Sequence, residues 1–265
     1  MSKKRILLTG DDGYNSIGTR LLIHELRNDY DLEIAATKNQ QSGVGGLIHL
    51  KEGGTWGEDT VDGIHAYWFE GSPVDCLDCL AGRCGDPYDY VISGMNCGPN
   101  VGTNVILSGT FAAAYYALAA GLTKRAMALS WDSPSSLYHK DHNHNDDISS
   151  CLEYPGKIIG KLIRLSIKNT WWNVPLLNIN VPQNKSDTVR ITSLKLNMGG
   201  YWSCAIMDAE SHKFFYPYGR NKNSVPDLSL DIDVLDHGDI SLTLCNPDMT
   251  DAKAAEKMNN KIFSL

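Results

Sequence analysis

Residues 5–22, RILLTGDDGYNSIGTRLL, join a short apolar run to two adjacent aspartates, a glycine and the start of a helical pattern. Ile6, Leu7 and Leu8 read as a strand buried on both faces, and residues 18–26 as a helix returning along it. The turn between them falls at the carboxyl end of a parallel strand, the edge where open α/β sheets place their ligands. Asp11 and Asp12 lie in that turn. Two carboxylates held close together repel each other unless a cation lies between them or one takes a proton. Hard divalent cations such as Mg²⁺, Mn²⁺ and Ca²⁺ prefer oxygen ligands of this kind. Asp-Asp-Gly is equally ordinary turn chemistry, so from these residues alone both readings stand.

The rest of the chain repeats the strand and helix rhythm. Residues 32–37, 64–69, 88–93, 126–131 and 174–181 read as strands, and 47–63 as a mixed stretch entering a hairpin. Ser72-Pro73-Val74-Asp75 opens a helix with a serine cap, a proline at its first position and an acid three residues after the cap. A third helix opens at Ser108-Gly109-Thr110 and closes at Gly121, and a fourth spans 155–167. Units of this size predict right-handed βαβ crossovers and a mostly parallel sheet. From Thr188 the pattern changes to shorter β-like runs and aromatic turns such as Phe214-Phe215-Tyr216-Pro217-Tyr218. The division expected is an α/β core over residues 1–185 and a β extension over 186–265 that partly completes the core.

Three loops fall at the same sheet edge as the aspartates. In the first, residues 39–46, glycines make turns or let backbone approach a ligand, and Ser42 offers a hydroxyl oxygen. In the second, residues 94–102, Asn96 and Asn100 either bond local backbone or serve a ligand, Asn96 through its amide oxygen to a metal and Asn100 through its amide hydrogens to an anion. The third is the helix start at residues 108–110, whose free N–H groups suit a phosphate-like group as well as an ordinary serine cap. The polar stretch 132–147, with His139, His142 and His144, lacks helical spacing and reads as a solvated loop. Cys76, Cys79, Cys84 and Cys97 are too irregularly spaced for a zinc site and read as small buried apolar residues.

A net charge of −7 on 265 residues argues against a nucleic-acid groove, which needs excess lysine and arginine. No stretch has the length of a membrane span. The basic start MSKKRILL has too short an apolar run for a signal peptide. Seven cysteines then suggest reduced thiols and a cytoplasmic setting.

Taken together, these residues resemble the SurE family, the survival-protein family of metal-dependent 5′-nucleotidases and nucleoside monophosphate phosphatases. The resemblance lies in Gly10-Asp11-Asp12-Gly13, Gln41-Ser42-Gly43, Gly71-Ser72-Pro73-Val74-Asp75-Cys76, Ser93-Gly94-Met95-Asn96-Cys97-Gly98-Pro99-Asn100 and Ser108-Gly109-Thr110. It continues in Leu177-Asn178-Ile179-Asn180-Val181-Pro182, Asp231 and Gly238-Asp239-Ile240-Ser241-Leu242-Thr243. The resemblance implies one divalent metal ion per subunit, Mg²⁺ or Mn²⁺, held by Asp11, Asp12, Ser42 and Asn96. It implies hydrolysis of nucleoside 5′- or 3′-monophosphates, or other small phosphate monoesters, with Asp11, Asp12, Asn100, Ser108, Gly109 and Thr110 around the phosphate. The fold implied is a Rossmann-like, mostly parallel sheet flanked by helices, with a C-terminal β-rich extension joining subunits into homodimers or homotetramers. The chain departs from the family at Gly10, where the family has Asn, at Thr37-Lys38 for Pro-Asp, at Leu107 for Tyr and at Leu230 for Thr. Gly10 motivates an alternative, a nucleotide or metal sensor without catalysis. A nucleoside hydrolase, which also uses strand-end aspartates with a metal, is a further alternative.

Overall fold

The protein is described here by a computed structural model covering residues 3–83, 85–138, 140–196, 204–217 and 225–258. Alternating apolar strands and amphipathic helices build one nine-stranded sheet. In chain order the elements are β1 (Arg5–Thr9), α1 (Ile17–Leu26), β2 (Asp31–Thr37), β3 (Trp56–Val61), β4 (Ile64–Phe69), α2 (Pro73–Ala81), β5 (Tyr90–Cys97), α3 (Gly109–Ala119) and β6 (Ala126–Trp131). There follow α4 (Ser149–Cys151), α5 (Lys157–Lys168), β7 (Leu176–Val181), β8 (Val189–Thr192), β9 (Ile206–Asp208), β10 (Lys213–Phe215), α6 (Asp231–His237), β11 (Ile240–Cys245) and α7 (Ala252–Met258).

The strands lie in the order β3-β4-β2-β1-β5-β6-β7-β11-β8. Those from β4 to β7 are mutually parallel, whereas β3 and β11 run antiparallel to their neighbours β4 and β7. The hairpin expected before residue 64 is β3–β4, closed by Asp62 and Gly63 at φ of +47° and +86°, the two-residue turn that an Asp-Gly pair favours. On one face of the sheet, Leu21, Leu22, Ile159, Leu162 and Ile163 of α1 and α5 pack on Ile6, Leu8 and Ile92. On the other face Leu77, Leu80, Ala113 and Ala117 of α2 and α3 cover Leu7 and Val91. Continuous apolar strands buried on both sides are what such layering demands, and β1, β5, β6 and β7 are buried almost throughout.

The region beyond residue 186 divides in two. β8 and β11 return to the main sheet, with Ile240↔Val189 and Leu242↔Ile179 in register, and α6 packs beside them. Among the described strands only those of the β9–β10 hairpin stand apart from the main sheet, with Met207, Phe214, Phe215 and Tyr216 exposed. β8 has four residues and finds its partner 51 positions later, a pairing that local periodicity does not reveal; Tyr218 lies outside the described residues. The expectation for the cysteines needs a correction at Cys79, which is exposed on α2 while Cys76 is buried; Cys84 lies outside the described residues. No described helix is long and apolar enough to cross a membrane.

Candidate active site

The carboxyl ends of β1 and β5 and the amino end of α3 meet around the two aspartates. β1 stops at Thr9, and Ser16 caps α1 by accepting from the Thr19 amide at 3.2 Å. That leaves residues 10–15 as a turn across the sheet edge. The Gln41 amide donates to the Asp11 carbonyl at 2.7 Å, which pins the glycine-rich loop after β2 beside them.

Asp11 and Asp12 are 4% and 7% exposed. Thr110 Oγ1, in the first turn of α3, donates to Asp11 Oδ1 at 2.5 Å. The Cys97 amide at the end of β5 donates to Asp12 Oδ2 at 2.7 Å. Gly109 makes this closeness possible: a Cβ there would lie 2.8 Å from Asp11 Oδ2 and 2.9 Å from Asp11 Cβ. Gly109→Ala is therefore expected to displace the carboxylate, reducing turnover about 100-fold, since an ångström of misplacement costs that much. Stability should fall by about 1–2 kcal/mol. Steady-state kinetics and urea unfolding check the two parts.

Burial lifts the Asp11 carboxyl to about 6, and burial together with the Asp11 charge lifts Asp12 to about 7; neither gains relief from a described lysine or arginine. Two desolvated carboxylates without a cationic partner are the donor set a hard divalent cation fits. The sign for stability follows from linkage. Between about pH 4 and pH 7 the folded, metal-free protein holds protons that the unfolded chain has already released, so its stability falls as pH rises through that window. At 1.36 kcal/mol per unit the loss from Asp12 alone is about 4 kcal/mol. It is read as the difference in urea unfolding between wild type and Asp12→Asn at pH 5 and pH 8.

Asn96, 9% exposed, donates its Nδ2 to the Gly98 carbonyl at 2.7 Å, leaving Oδ1 as its acceptor. Ser42 lies on the loop pinned to Asp11, but its exposed hydroxyl accepts from Gln40 within that loop. Ser108 Oγ caps α3, accepting from the Phe111 amide at 3.0 Å. Asn100 is clamped: its amide donates to Asn180 Oδ1 at 2.7 Å, its Nδ2 to Ser130 Oγ at 2.9 Å, and its carbonyl accepts from Asn178 and Asn180, both at 2.9 Å. The polar alternation in LLNINV, with two asparagines on one face of a buried strand, was the signal for this clamp. Thr9, Ser93 and Asn178 stand in one row across the sheet through Ala128. Thr9 Oγ1 and Ser93 Oγ are buried without a partner among the described residues, donors of the kind an anion at this edge would engage.

The solvated reading of residues 132–147 fails at His142, whose side chain is only 1% exposed. Asp146 organises the loop by accepting from Lys140 Nζ at 2.5 Å and from the Asn143 amide at 3.0 Å. The Asp146 carbonyl accepts from Arg20 of α1 at 2.5 Å. The last of these ties joins the loop to α1 across the chain, which composition alone does not indicate. His144 is half-exposed, edge-on to Tyr14, and His139 lies outside the described residues.

Residues 6–200 match the family model described as survival protein SurE. The chain belongs to the SurE family. Among the relatives of this SurE chain, a 5′-nucleotidase SurE of Syntrophomonas wolfei is 31% identical over 265 residues, covering 98% of this chain and 95% of that one. One of Methanocorpusculum labreanum is 27% identical, with both chains covered completely. The fold matches the SurE protein of Aquifex aeolicus with a TM-score of 0.71 at 22% identity, over 96% of this chain and 98% of that one.

Proposed function

We propose that this SurE-family chain is a divalent-metal-dependent phosphomonoesterase that hydrolyses nucleoside monophosphates to nucleoside and inorganic phosphate. The observation that carries the reading is the buried Asp11–Asp12 pair, without a lysine or arginine partner among the described residues and set against the amino end of α3. The family's 5′-nucleotidase relatives support it. Asp11, Asp12, Asn96 and Ser42 would hold one Mg²⁺ or Mn²⁺, Ser42 after its hydroxyl turns from Gln40. A divalent cation bound there supplies positive charge beside the phosphate oxygens and acidifies water.

The chain's own residues do the positioning. Thr110 orients Asp11, which directs the attacking water and takes its proton at a carboxylate oxygen. The Cys97 amide fixes Asp12. The first-turn amides of α3 at Gly109 and Thr110, with the helix dipole behind them, receive phosphate oxygens. The clamp of Ser130, Asn178 and Asn180 holds Asn100 rigid beside them, so its remaining amide hydrogen reaches the anion without reorganisation. Gly10 lies against Gly94, where a Cβ would come 3.3 Å from the Gly94 amide nitrogen, and contributes no side-chain donor.

The test is a screen of nucleoside 5′- and 3′-monophosphates with Mg²⁺, Mn²⁺ and EDTA, reading inorganic phosphate. Metal-dependent phosphate release supports the reading. A rise in melting temperature with nucleotide but no phosphate would assign a sensor instead, and release of free base a nucleoside hydrolase.

The exposed aromatic hairpin β9–β10 is assigned to pairing subunits into homodimers or homotetramers, since a patch of this kind marks an interface. Phe214→Asp is expected to lower the mass measured by light scattering to that of the monomer. The six described cysteines are free thiols, in keeping with a cytoplasmic enzyme.

A further inference from the structure

Asp12 also belongs to a second donor set of different chemistry. One carboxylate oxygen of Asp12, the Cys97 sulfur and a ring nitrogen of His142 all lie within 4.8 Å of one another. The three come from the β1 turn, the end of β5 and the loop after β6, so only the tertiary fold unites them. Neither ring nitrogen of the buried His142 makes a hydrogen bond among the described residues. An imidazole taken out of water without a hydrogen bond is costly, and here one of its ring nitrogens lies within 4.8 Å of an oxygen and a sulfur. Its Nδ1 stands 3.4 Å from Asp146 Oδ2, the position of the outer carboxylate that orients a metal-bound histidine. Asp146 is itself held by Lys140 and the Asn143 amide.

We propose that Asp12, Cys97 and His142 form a binding site for a borderline-soft divalent cation of the Zn²⁺ type, sharing Asp12 with the all-oxygen set. Mixed sulfur, nitrogen and oxygen donors select Zn²⁺ or Co²⁺ over Mg²⁺ and Ca²⁺. Three protein ligands leave the fourth tetrahedral position to water or a ligand. Binding converts the Cys97 thiol to a thiolate and releases its proton to solvent. The proposal rests on the nucleotidase reading only for the sharing: a cation held by sulfur and nitrogen occupies Asp12 and competes with Mg²⁺ or Mn²⁺ for it.

The experiment titrates Co²⁺ into the metal-stripped full chain without nucleotide, then displaces it with Zn²⁺. The wild type should show the ultraviolet thiolate-to-cobalt charge-transfer band, and Zn²⁺ should erase it. Cys97→Ser should lose the band while keeping its circular dichroism. His142→Ala, on a loop rather than in the sheet, should weaken Zn²⁺ binding by more than the roughly 10- to 100-fold that loss of an outer partner costs. No band in the wild type, a full band in Cys97→Ser, or unchanged Zn²⁺ affinity in His142→Ala would each overturn the site. Because no nucleotide is present, such a failure leaves Mg²⁺-dependent phosphate release standing, and absence of phosphate release leaves the cobalt band standing.

Discussion

Asp12→Asn is expected to reduce metal-dependent phosphate release from a nucleoside monophosphate by about 10³-fold or more, the scale on which one preorganised group counts at a reacting centre. The substitution keeps the shape of the side chain and the oxygen that accepts from the Cys97 amide. It removes the charge. The same change removes the charge whose burial, with repulsion from Asp11, lifts Asp12 to about 7, so the metal-free variant should be more stable than wild type at pH 8, by about 4 kcal/mol on the linkage scale. Loss of activity together with gain of stability distinguishes a functional charge from a structural one, because a turn aspartate would lose stability when replaced. Phosphate release and urea unfolding at pH 8, measured on one preparation, decide the matter. Unchanged turnover would remove Asp12 from the site.

Gly18→Ala should be the most destabilising glycine-to-alanine change among the described residues. Alanine is the better helix former by about 1 kcal/mol, and Gly18 lies in the first turn of α1, so propensity alone predicts a gain. Packing predicts the opposite. A Cβ at Gly18 would stand 1.9 Å from the Met95 carbonyl oxygen and 2.8 Å from its carbonyl carbon, and backbone in the middle of a buried strand has no rotamer to change. Helix and strand must separate, at a cost of about 3–5 kcal/mol. For a chain of this size that lowers the melting temperature by about 10 °C. Met95 immediately precedes Asn96 and lies where β5 shifts register against β6, between Ser93 and Asn96. The separation therefore also disturbs the Cys97 amide that holds Asp12, and the surviving folded fraction should turn over more slowly. Differential scanning calorimetry and kinetics on Gly18→Ala read both effects; a rise in melting temperature would show that helix and strand do not meet there.

Much of the candidate site was legible because it is local. Asp11, Asp12, Gly109 and Thr110 lie at element boundaries whose chemistry is written in short stretches: an apolar strand followed by acids, a serine cap followed by small residues. Ser42 and Asn100 were less completely legible, since their partners, Gln40 for one and Ser130, Asn178 and Asn180 for the other, depend on how loops close over the sheet. His142 was misread because burial of a loop residue is decided by ties such as Arg20 to Asp146, made across more than 120 residues.

The sequence by itself determined the alternation of buried strands and amphipathic helices, the edge at which the acids fall and the capping of α2, because each depends on spacing within about ten residues. Only the tertiary structure decided that β8 and β11 close the main sheet, that Gly109 presses on Asp11, and that Asp12, Cys97 and His142 converge. Those are contacts between distant segments, set by the packing of layers rather than by any periodicity along the chain.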